Sequence, residues 1–85
     1  MDKKFLNKVV DQIVYETEID YDEKKVYLPF FISHFPSHLF PYLLLEQLPQ
    51  FYTHCESVYG LNDLEIKYVW KKYKKIILDK IDSLH

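Results

Sequence analysis

Apolar residues recur at three- and four-residue intervals at both ends of the chain, and the middle breaks that rhythm. Near the N-terminus Leu6, Val9, Val10, Ile13, Val14 and Thr17 share one helical face, with Lys4, Asn7, Lys8, Asp11 and Glu18 opposite. The period predicts an amphipathic helix over about 3–18, with Asp2 as its N-cap. Near the other end Ile66, Val69, Trp70, Tyr73, Ile76, Ile77, Ile81 and Leu84 trace a second stripe. Asn62 and Glu65 stand at capping-box spacing before it, which predicts a helix over about 63–82. Trp70, central on that stripe, is expected to face Val9, Ile13 and the aromatic connector.

Between the two helices the pattern is irregular. Residues 18–25 hold Glu18, Asp20, Asp22, Glu23, Lys24 and Lys25 and read as a charged turn. Val26-Tyr27-Leu28 has strand-type residues, and Pro29 holds Leu28 extended. One short extended segment near 24–28 is expected, pairing with 17–21 in a hairpin that lacks an Asn-Gly or Asp-Gly turn. Residues 29–41 are aromatic and proline-punctuated, an ordered connector that buries Phe30, Phe35 and Phe40. Pro41 suits a helix start and Gly60 a left-handed helix end. Pro49, which costs about 3 kcal/mol in a helix interior, is expected to divide the region into short helices near 41–47 and 49–59. The fold class expected is a small, mainly α protein forming one domain over 1–85.

Composition narrows the functional classes. The chain has 85 residues, 48% of them hydrophobic and 18% aromatic, far from the signature of disorder. It contains neither Arg nor Ala and one Gly, the skew of an AT-rich coding sequence, which fits a phage-encoded accessory protein. A net charge of −2 excludes a globally basic nucleic-acid binder. The N-terminus has no apolar run of a secretory signal. Val26 to Leu45 runs for twenty residues without a formal charge. Pro29, Pro36 and Pro41 oppose reading it as a membrane span. The cytoplasm or an assembled particle such as a virion is the expected location.

No catalytic pattern emerges. One glycine cannot build a phosphate-cradling loop. His34 and His38 are separated by Pro36 and cannot form a metal-binding pair on one helix face. Neighbouring His54 and Cys55 point about 100° apart on a helix, too far to work as base and nucleophile. The lone Cys55 excludes an intrachain disulfide and reads as a small core residue. The acids of 16–23 lack the glycine and distal glutamate of a calcium loop. No enzyme activity, cofactor or metal is expected.

Two surfaces stand out as partner sites. Tyr15 and Ile19 on the first helix, and Leu64, Tyr68 and Leu78 on the last, project away from the core stripes, which points to a protein partner or a homo-oligomer. Lys67, Lys71, Lys72, Lys74 and Lys75 occupy the rest of the last helix. Residues 63–85 carry six lysines against four acids, while residues 1–62 carry five against nine. The lysine face suits an anionic partner, nucleic acid included, although absent arginine removes the bidentate contacts that bases and phosphates favour.

Overall fold

The computed structural model describes residues 2–31 and 34–83, and at 43–45 the backbone alone. Leu84 of the second stripe lies outside these residues. The elements in order are α1 (Lys3–Glu16), β1 (Glu18–Asp20), β2 (Lys25–Tyr27), β3 (Phe35–Pro36), α2 (Phe40–Tyr59) and α3 (Asp63–Asp82). The protein is mainly α, with the three short strands forming an antiparallel sheet in the order β1-β2-β3.

The two terminal helices form where their caps and periods require. The Asp2 carboxylate accepts from the Lys4 and Phe5 amides and starts α1. Its buried residues are Leu6, Val9, Val10 and Ile13. The helix ends at Glu16, two residues earlier than its periodicity predicts. Thr17 leaves the helix because it is held by tertiary structure. Its Oγ1 donates to the Ile13 carbonyl at 2.8 Å, so the Tyr73 hydroxyl, also at 2.8 Å, donates to Thr17. This buried pair ties the end of α1 to the middle of α3. The α3 capping box is complete: Asn62 accepts from the Glu65 amide, and Glu65 accepts from the Asn62 amide.

The hairpin forms without a glycine turn. Asp20 Oδ1 accepts from the Asp22 and Glu23 amides, an Asx-type closure, and Lys24 takes the left-handed conformation at φ 56°. The register pairs Glu18 with Tyr27, Ile19 with Val26 and Asp20 with Lys25. β3, unforeseen in the sequence, pairs Phe35 with Val26 and Pro36 with Lys25. Pro36 has no N–H to donate, and it is tolerated because β3 is an edge strand. Ile19, Val26 and Phe35 therefore share the inner face, and Glu18, Asp20, Lys25, Tyr27 and Pro36 the outer one.

α2 corrects the expectation of two short helices. It runs unbroken through Pro49 for 20 residues and ends on Gly60 at φ 65°. Proline removes one backbone donor and strains the turn before it. Continuity is maintained by the face that α2 buries: Phe40, Gln47, Phe51 and Cys55 are each at most 1% exposed.

The core gathers the buried faces of α1, α2 and α3 together with Val26, Leu28 and Phe30. Phe51 stands at its centre, with ring centroids 5.2 Å from Phe30, 4.8 Å from Trp70 and 5.5 Å from Tyr73. Trp70 is buried, but its closest ring partner is Phe51 on α2, not a connector ring. In the connector, where described, Phe30 and Phe40 are buried and Phe35 is half-buried rather than fully buried. Among the described residues, no helix is long and apolar enough to cross a membrane. The uncharged stretch from Val26 is divided among β2, the connector, β3 and the start of α2.

Burial sets the alkaline limit of the fold. Desolvation pushes the Cys55 thiol from its ordinary 9.0 up to about 12. The same cause raises the Tyr73 phenol well above its ordinary 10.0. Both groups keep their protons in the folded chain at pH values where the unfolded chain releases them. Stability is therefore full below about pH 9 and falls as pH rises toward 12, by about 1.4 kcal/mol per unit for each group in its window. Cys55→Val should flatten the decline between pH 9 and 10, measured by urea unfolding. An unchanged slope would mean the thiol reaches solvent.

Candidate functional site

Periodicity alone places Leu64, Lys67, Lys71, Lys75 and Leu78 on one stripe of α3, at three- and four-residue intervals. The fold leaves that stripe outward. The core side of α3, through Ile66, Val69, Trp70, Tyr73, Ile77 and Ile81, is buried. Leu64 is 74% exposed, and Lys67, Lys71 and Lys75 are exposed. Leu78 is half-buried at the edge, where it packs on the core. The stripe is about 21 Å long at the helical rise. Among the described residues the ion pair is Lys25 with Glu23 at 3.0 Å, and none involves an α3 lysine.

The remaining sequence candidates divide. Lys74 is half-buried, beside the core stripe. Lys72 turns the other way, its Nζ 5.1 Å from the centroid of the Tyr68 ring. Tyr68 is not a free surface residue: it is half-buried, and its hydroxyl donates to Asn7 Oδ1 at 3.1 Å, bridging α3 to α1. Ile19 is on β1, not on a helix, and packs half-buried against the core. Tyr15 is where the sequence places it, on α1 and 83% exposed. The structure thus brings Leu64, Leu78 and three lysines together, and leaves Tyr15 and Ile19 on other elements.

Two neighbouring features modify this face. A shallow cleft of about 410 Å³ between α1 and α3 is lined by Lys72, Lys75 and Ile76, and by Asn7, Asp11 and Asp79. The two aspartates set negative charge along one edge of the basic surface. Elsewhere, an open groove of about 530 Å³ runs between the connector and α2, with Phe31, Pro49, Thr53, His54 and Val58 among its walls. His54 Nε2 is buried there without a hydrogen-bond partner among the described residues.

Some exposed apolar residues escaped the sequence reading. Tyr42 is 82% exposed, Tyr21 59% and Val58 59%. Tyr42 becomes legible once α2 is read as one helix, because it then falls off the buried face; Val58 repeats at the spacing of Phe51 and Cys55, and only the tertiary structure leaves it exposed. Tyr21 sits in the hairpin turn, where periodicity carries no signal.

Cys55 is fully buried and its thiol is held protonated, so it is no nucleophile at neutral pH. His34 packs against Tyr27, and His54 against Phe30 and Tyr59, each in a different setting. Among the described residues, no group of three or more His, Cys, Asp or Glu is placed to hold a metal ion. Comparison of the chain with protein-family models, with curated proteins and with solved structures finds no match to any of them.

Proposed function

We propose that this chain is a protein–protein interaction module, an accessory or structural subunit that docks through the outer face of α3. The observation that carries the reading is Leu64, 74% exposed at the head of a stripe whose lysines pair with no acid among the described residues. Apolar side chains set among long charged ones suit a protein interface, with a dry centre and a charged rim. Lysine stems add apolar area while their ammonium groups stay in water. A phosphate-binding surface has no use for leucines within its basic stripe.

The test starts from the protein recovered with the tagged chain from its native host. Leu64→Asp should weaken that complex at least tenfold while leaving the melting temperature within a few degrees, because Leu64 touches solvent and a charge in a dry interface is costly. Tyr68→Asp is a poor probe, since it also breaks the bridge to Asn7. Replacing Lys67, Lys71 and Lys75 with Gln should lower the association rate and its salt dependence without abolishing the complex. DNA or RNA binding near physiological salt that the glutamine variant loses, and Leu64→Asp retains, would overturn the proposal in favour of nucleic acid.

A further inference from the structure

We infer that the face of α3 takes the acidic β1–β2 hairpin of a second copy of this chain, so that copies associate head to tail. The inference rests on the interaction reading above and names its partner.

The observation is a charge separation that the fold leaves unresolved. Five lysines and no acid lie between Glu65 and Asp79. Residues 16–25, ends included, hold five acids and two lysines. In the hairpin Asp20 is committed to closing the turn, and Glu23 to Lys25. Glu18 and Asp22 are exposed and free of side-chain partners among the described residues. Neither end neutralises the other within the chain, so each presents its field to solvent.

Apolar anchors match as well. Tyr15 stands beside the hairpin base and Tyr21 at its tip, 83% and 59% exposed. Tyr27, opposite Glu18 on the outer sheet face, is 38% exposed. Tyrosine is enriched among residues that carry interface energy, and it suits a surface of leucine and lysine stems. Exposed ion pairs alone contribute little. Charge here sets orientation and encounter, and the tyrosines against Leu64 and Leu78 supply the buried area.

Two different surfaces meet in such a contact, so it repeats. Each pair keeps one unused hairpin and one unused α3 face, so the assembly grows, as a ring if the rotation closes and as a filament if it does not.

Sedimentation velocity over a concentration series tests this. The weight-average mass should rise from the 10.4 kDa of one chain past that of a dimer. The association constant should fall at least tenfold between about 0.05 and 0.5 M salt, as screening shortens from over 10 Å to under 8 Å. A lysine-reversed variant, Lys67→Glu with Lys71→Glu, should be monomeric alone. So should a hairpin-reversed variant, Glu18→Lys with Asp22→Lys. Mixed in equal amounts, the two should associate again, because each supplies the face that the other's reversed face now fits. All four positions are exposed, and circular dichroism checks that each variant folds.

A wild-type chain that stays monomeric at millimolar concentration overturns the inference. So does association that stops at the dimer and survives either reversal. If the chain is monomeric yet still binds a different protein through Leu64, self-association fails and the interaction reading stands.

Discussion

Trp70→Ala should remove about 3–5 kcal/mol of stability, a large share of the 5–15 kcal/mol that holds a domain of this size. Trp70 is 9% exposed and its ring lies 4.8 Å from Phe51 and 6.2 Å from Tyr73. Alanine leaves a cavity at the junction of α2 and α3, where rings border rings and little can move to fill it. The melting temperature should fall by roughly 12–40 °C, at about 4–8 °C per kcal/mol. Phe51→Ala should cost as much, because Phe51 is fully buried and touches three rings. Both losses are read by circular dichroism, since Trp70 is the only tryptophan. A change under about 1 kcal/mol for either would show that the aromatic cluster is not the centre of the core. In the wild-type protein, Trp70 fluorescence should be blue-shifted and should move to the red on unfolding.

The opposite sign is expected at Gln47. Its side chain is 1% exposed on the buried face of α2, and among the described residues both ends of its amide lack hydrogen-bond partners. A buried polar group left unpaired costs about 1–3 kcal/mol. Gln47→Leu keeps nearly the same volume and removes that penalty, so the variant should be more stable by about that amount. Urea midpoints measure it. A loss of stability in Gln47→Leu would show that the amide is hydrogen-bonded in solution. The two substitutions act on the same helix packing from opposite directions. Trp70→Ala removes apolar area that the fold needs, and Gln47→Leu removes polarity that it carries at a cost.

The terminal helices were legible because their determinants are local. Asp2 caps α1, Asn62 and Glu65 cap α3, Gly60 ends α2, and each apolar stripe repeats within its own segment. The hairpin was legible in part. Strand-type residues before Pro29 located β2, but the turn closes through Asp20 and a left-handed Lys24, chemistry that no standard dipeptide announces. The grouping of Leu64 and Leu78 with Lys67, Lys71 and Lys75 also follows from spacing along one helix.

The rest depends on what each element meets. Pro49 has the same local cost wherever it stands, and α2 stays continuous because Phe40, Gln47, Phe51 and Cys55 are buried along both of its halves. β3 exists because β2 offers Phe35 a partner in Val26. Thr17 leaves the first helix because Tyr73, 56 positions away, reaches its hydroxyl. Ile19 turns inward once β1 pairs with β2, and Tyr68 is drawn from the surface by Asn7 of α1. Spacing along a helix states which side chains share a face, since that follows from backbone geometry alone. Whether another segment covers that face depends on contacts between residues far apart in the chain, and the stripe on α3 is a candidate site because, among the described residues, none does.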